Sequence, residues 1–234
     1  MLPIRDDQPR YSTPYVTRFL IGLNLVIFLI EAALAPESLK LLIHQFGVVP
    51  YHTAVFLRGS SRYSLLEVVL PYFTSLFLHG SWLHVLGNML YLYIFGDNVE
   101  DYMGHFKYLV FYLLTGVLAM STQVAVDIRS TAPALGASGA IAGVLGAYFV
   151  LYPKARVLTW FFELLILVAW IPAWIILGYW FVLNFLSGTQ TMLAVHKQNM
   201  GGIAFWAHIG GFISGVLLVK VFGERQLRYP YARA

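Results

Sequence analysis

Cysteine is absent from the 234-residue chain. This excludes a disulfide framework, thiolate zinc ligands and thiol catalysis. Charge is scarce: 11% of residues are Asp, Glu, Lys or Arg, against roughly 25% in a soluble domain. The short alternating segments of a membrane β-barrel are missing. Met1 to Thr17 holds Pro3, Pro9, Pro14 and both charge signs and lacks the apolar core of a cleavable signal peptide, so the first apolar run is read as a retained span. What remains is 59% hydrophobic and 16% aromatic. Several apolar runs approach the ~20 residues that a helix needs to cross the hydrocarbon core. The expectation is an all-α polytopic membrane protein. The net charge of +4 lies mostly at the ends and in short loops, where it acts as an orientation signal. No nucleic-acid surface is implied.

Six spans are expected: Phe19–Leu34, Trp82–Phe95, Lys107–Val126, Gly136–Tyr152, Ile171–Leu186 and Ile203–Phe222. The connection from Pro36 to Leu78 carries apolar patches too short to cross and is read as interfacial. Gly96 to His105 reads as a polar loop. Val157 to Leu186 is apolar except for Glu163. Two crossings with a turn need about 40 residues, so one crossing is expected there, with Val157–Trp170 interfacial or re-entrant. The chain is read as a single membrane domain, 1–234, with an N-terminal segment 1–17, a core 18–222 and a basic tail 223–234. Placing both termini in the cytoplasm puts ten of the fifteen lysines and arginines on the inner side, as the positive-inside rule requires.

That topology makes the fourth and sixth spans run in the same direction. Ser138, in Gly136-Ala137-Ser138-Gly139, and His208 then share a depth near the outer surface. Polar and ionisable groups at such depth are costly and usually functional, and a serine beside a histidine is the minimum for nucleophilic catalysis. Gly139 and Gly143 are four apart, as are Gly211 and Gly215, and with Gly136 these are read as the helix-packing glycines. Such pairs let membrane helices approach closely, and stripe-on-stripe packing would bring Ser138 and His208 together. The first N–H groups of the Ser138 helix lack intrahelical partners. His84 and Asn88 share a helix face and can donate hydrogen bonds, so with those groups they form a candidate oxyanion site.

In this combination the sequence resembles the rhomboid family of intramembrane serine proteases. The matching residues are His84-x-x-x-Asn88, Gly136-Ala137-Ser138-Gly139 and Ala207-His208-x-x-Gly211-x-x-x-Gly215, with Tyr72-Phe73-Thr74 before them. The resemblance covers about Leu70 to Phe222 and implies a six-span bundle. It implies Ser138 as nucleophile, His208 as general base and acid, and His84, Asn88 and the Ser138 N–H as oxyanion donors. The implied substrates are transmembrane segments of other proteins, cut near the outer boundary. The fifth span and the loop Ser187–Gly202 would be the gate and cap. Two departures stand out: Leu70-Pro71 replaces the family's frequent Trp-Arg, and Ala142 stands where some members stack a tyrosine on the histidine.

Other readings are weaker. A catalytically inactive relative that binds membrane-protein clients is the main alternative, and a transporter the second, although no repeat of broken spans is visible. A metal site at His79 and His84 lacks the metalloprotease Glu between them, so no metal and no cofactor are expected. His79 reads as structural, Glu31 and Glu163 as interfacial carboxylates, and His44, His52, His105 and His196 as without a role. Trp180 is a candidate contributor to the gate. The expected partners are transmembrane protein substrates and membrane lipid. The expected location is the plasma membrane of a prokaryote, with an organelle as the alternative.

Overall fold

A computed structural model describes residues 1–161, 167–193 and 204–223. Glu163, His196, Lys197, the beginning of the sixth expected span at Ile203, most of the cap loop and the basic tail from residue 224 lie outside the described residues.

The chain is mostly helical. Six helices of fourteen residues or more are present among the described residues: α1 (Tyr15–Ala33), α6 (Trp82–Met103), α7 (His105–Val126), α8 (Ser138–Leu151), α9 (Ala173–Leu193) and α10 (Phe205–Phe222). Between α1 and α6 the connection folds into short helices, α2 (Pro36–Phe46), α3 (Pro50–Leu57), α4 (Leu65–Val69) and α5 (Pro71–Thr74). By length and composition α1, α7 and α10 are apolar enough to cross a membrane. Large apolar side chains point outward along the bundle, among them Phe19, Val26, Leu83, Leu217 and Val221, as a lipid-facing surface requires.

α8 is the buried centre. Every residue from Gly139 to Tyr148 is buried, the pattern of a helix surrounded on all sides. Its fourteen residues rise only about 21 Å, short of the ~30 Å hydrocarbon core. Small residues make room for its neighbours. A side chain at Gly211 or Gly215 would collide with the backbone of Gly139 or Gly143, so α10 lies directly on α8. Gly139 and Gly143 turn their own bare faces to Ala119 and Thr115 of α7.

Three sequence expectations need correction. The first concerns Val157–Trp170. Residues Arg156–Phe161 form β2 and Leu167–Pro172 form β3, an antiparallel pair, and Leu2–Asp6 adds as β1 in the order β1-β2-β3. The N-terminal segment is thus tied into the fold. The hairpin is rich in β-branched and aromatic residues, and β2 alternates between exposed Arg156 and Trp160 and buried Val157 and Thr159. The second concerns Gly96–His105, which continues α6 to Met103. Its polar residues are helical because the N-terminal segment supplies their partners. The third concerns Gly136, which precedes the helix with φ +123°, so it is a turn residue and lies outside the packing stripe.

The connecting segment, in which Leu70-Pro71 replaces the Trp-Arg pair, is pinned to the α7–α8 loop. Val48 and Ala134 exchange backbone hydrogen bonds at 2.9 and 2.8 Å, and the Tyr51 N–H donates to the Ser130 carbonyl at 2.9 Å. Thr74 Oγ1 donates to the Phe46 carbonyl at 2.8 Å. The Gly136 N–H donates to the Ser75 carbonyl at 2.8 Å, which fixes the turn just before Ser138.

Candidate active site

Ser138 is the first residue of α8. The first i→i−4 bond of this helix runs from the Ile141 N–H to the Ala137 carbonyl at 2.9 Å. The N–H groups of Ser138, Gly139 and Ala140 precede it and carry the positive end of the helix dipole. Gly136 allows close approach here. A Cβ at this position would sit 2.8 Å from His84 Cε1 and 3.5 Å from Ser138 Oγ. The His84 ring therefore lies against the turn that presents the serine.

His208 lies one turn into α10, and its Nε2 is 2.8 Å from Ser138 Oγ. The two helices start at the same end of the bundle, and the glycine contacts set their spacing. His84, Asn88, Ser138 and His208 line one cavity of about 230 Å³, together with Leu83, Gly87, Tyr91, Ile141, Leu145 and Trp180. The structure thus brings all four polar residues singled out in the sequence to one place. The walls are apolar, so charge developing inside is poorly screened and strongly felt by nearby donors.

Sequence reading missed three participants. His79 is buried, and its Nε2 accepts from Asn88 Nδ2 at 3.0 Å. Burial first, and the neighbouring His84 second, push the His79 imidazole down to about 4, so it is neutral and free to accept. An Asn amide has two N–H bonds, which leaves one for the cavity. Glu31, expected at the interface, is buried at 2% exposure. It accepts from the His79 N–H at 3.1 Å and so holds the His79 turn. The third is Asn184 of α9, whose Oδ1 is 2.6 Å from His208 Nδ1. Its signal was available, since a lone amide in Phe181-Val-Leu-Asn184-Phe-Leu is the sort of polar residue that apolar spans rarely keep without use. The place left by Ala142 is taken from α9 as well, where the Trp180 ring lies 5.6 Å from that of His208 with 34° between their planes.

Among the described residues no group of three or more His, Cys, Asp or Glu could hold a metal ion. His52 stacks on Tyr63 at 4.1 Å, and His105 pairs with Glu100 at 2.6 Å, both away from the cavity.

Helical membrane architecture and a serine–histidine contact sunk within it define the class: a polytopic membrane protein with a potential nucleophile in its interior. The chain belongs to the rhomboid family, since residues 67–225 match the Rhomboid domain. It is 29% identical over 138 residues to Rhomboid protein 1, mitochondrial, of Saccharomyces cerevisiae, covering 57% of this chain and 36% of that protein. It is 31% identical over 148 residues to Rhomboid-like protein 11, chloroplastic, of Arabidopsis thaliana, covering 61% and 49%. It is 27% identical over 141 residues to Presenilin-associated rhomboid-like protein, mitochondrial, of Mus musculus, covering 57% and 33%. The chain thus spans half or less of the length of these relatives. Their names are organellar, and on that finding the expected prokaryotic plasma membrane is withdrawn. The integral membrane character stands.

Proposed function

We propose that the protein is an intramembrane serine endopeptidase that cleaves transmembrane segments of other membrane proteins. The observation that carries this reading is the 2.8 Å contact between Ser138 Oγ and His208 Nε2 inside an apolar-walled cavity. In the proposed reaction His208 takes the Ser138 proton as Oγ attacks the scissile carbonyl. The Ser138 N–H, His84 and the free Asn88 N–H hold the oxyanion. His208 then protonates the leaving amine, and water, activated by the same imidazole, releases the acyl group. Each oxyanion donor of this kind contributes about 3–4 kcal/mol to the transition state. Preferred cut sites contain small or helix-breaking residues, because a regular helix keeps its carbonyls hydrogen-bonded and out of reach.

The test uses the purified chain in detergent with a transmembrane substrate, beside Ser138→Ala. Product from the wild type alone supports the reading. Equal product from both removes Ser138 from the mechanism. A covalent serine-reactive probe should label Ser138 and fail to do so in His208→Ala. No labelling of the folded wild type favours the non-proteolytic, client-binding alternative.

A further inference from the structure

Asn184 is the one polar side chain of α9 that is buried among the described residues, at 8% exposure. Its amide has two fixed engagements. Nδ2 donates to the Trp180 carbonyl at 2.8 Å, and Oδ1 lies 2.6 Å from His208 Nδ1. A carbonyl can only accept, so the nitrogen must face Trp180 and the oxygen must face the histidine. Turning the amide over would set two acceptors against each other at Trp180. An amide oxygen has no proton to give. His208 Nδ1 must therefore carry the hydrogen, which in the neutral ring leaves a lone pair on Nε2 facing Ser138 Oγ at 2.8 Å. That is the tautomer a general base needs.

We propose that Asn184 is a positioning residue that locks His208 in the Nδ1–H form and fixes the rotation of its ring, completing a Ser138–His208–Asn184 array. The inference rests on the proteolytic reading for its kinetic consequences and on geometry alone for the tautomer. A neutral amide suits this place, because a carboxylate there would add a buried charge of high cost. Asn184 and Trp180 lie one turn apart on α9, so one helix supplies both the ring's packing and its hydrogen bond. In serine proteases with an aspartate in the third place, forcing the wrong tautomer lowers kcat about 10⁴-fold. The effect here is smaller, because removing the acceptor leaves both tautomers accessible.

The experiment compares Asn184→Leu and Asn184→Asp with the wild type in full-length protein, with thermal melting as the folding check. Asn184→Leu should lower kcat roughly 10–100-fold with KM changed less than about two-fold. Asn184→Asp keeps the acceptor and should hold kcat at high pH. The acid limb of its kcat/KM profile should move up by about one pH unit, because a carboxylate favours the imidazolium. His84 and Tyr91 are the other titratable side chains lining this cavity, and neither is changed in the variants. Equal kcat in Asn184→Leu and wild type, or an Asn184→Asp profile that falls without shifting, overturns the assignment. Ring ¹⁵N shifts of His208 give a readout that needs no turnover. Nδ1–H in the wild type and a mixture in Asn184→Leu support the array even if the chain cleaves nothing. Nε2–H in the wild type ends it.

Discussion

At one end of the bundle Ser138, His208, His84 and Asn88 face a cavity. At the other, Asp6, Glu100, Asp101 and Tyr148 face protein. Glu100, with 0% exposure, accepts from the Val16 and Thr17 N–H groups at 2.9 and 2.8 Å and from Thr17 Oγ1 at 2.7 Å. It also pairs with His105. α1 has no side-chain cap of its own, so a carboxylate from α6 satisfies its first turn. Asp101 accepts from Ser12 Oγ and the Tyr11 N–H. Both ends bury costly polar groups, but Glu100 and Asp101 are spent on the N-terminal segment, whereas the Ser138 group opens onto a cavity. Saturated networks hold a fold together. Unsaturated ones, held by glycine contacts and a fixed turn, can exchange hydrogen bonds with a bound molecule.

Substitutions at the two ends should therefore fail in different ways. His208→Ala has the largest expected effect, a fall in kcat of about 10⁴-fold or more with a melting temperature near that of the wild type. Collapse of the fold instead would make His208 a structural residue and erase the contrast. Next comes Glu100→Ala. It strands the α1 donors and should cost about 3–5 kcal/mol of stability, while the molecules still folded label at Ser138 as the wild type does. His79→Leu sharpens the boundary between the ends. It removes the acceptor that orients Asn88, and kcat should fall roughly ten-fold, about 1.4 kcal/mol of barrier, with KM held. A rise in KM instead would place Asn88 in ground-state binding.

Much of the Ser138 end was legible because its signals are local. Gly-Ala-Ser-Gly and the glycine spacings of the sixth span are patterns a few residues long, and the packing of Gly211 and Gly215 on α8 follows from the absence of side chains. The other end was not legible. Asp97 to Asp101 reads as a loop because charges rarely continue an apolar helix, and only partners some 84 residues away in sequence make it helical. The β2–β3 hairpin was hidden for a different reason: a short apolar run gives no period that separates a strand from a buried helix. Asn184 was passed over although the rule that picked out Ser138 applies to it equally. A single amide has no motif, and its meaning depends on which ring nitrogen it meets.

The smallest expected effect tests whether Asp6, at the saturated end, keeps its proton in the fold. Asp6 of β1 accepts from the Tyr148 hydroxyl at 2.5 Å. Burial raises its carboxyl from 3.8 to about 7, helped by the neighbouring charges of Asp97 and Asp7 and opposed by the Tyr148 hydrogen bond. A raised carboxyl means that the folded chain keeps a proton which the unfolded chain has released. Between pH 4 and 7 folding takes up that proton, so the contribution of Asp6 is fully present below about pH 4 and is lost as pH rises through 7. Asp6→Asn cannot titrate. Its stability relative to the wild type should therefore climb over this window and level off above it, read by thermal melts at each pH, while Ser138 labelling stays as in the wild type. A difference that is constant with pH would mean that Asp6 is ionised in the fold throughout.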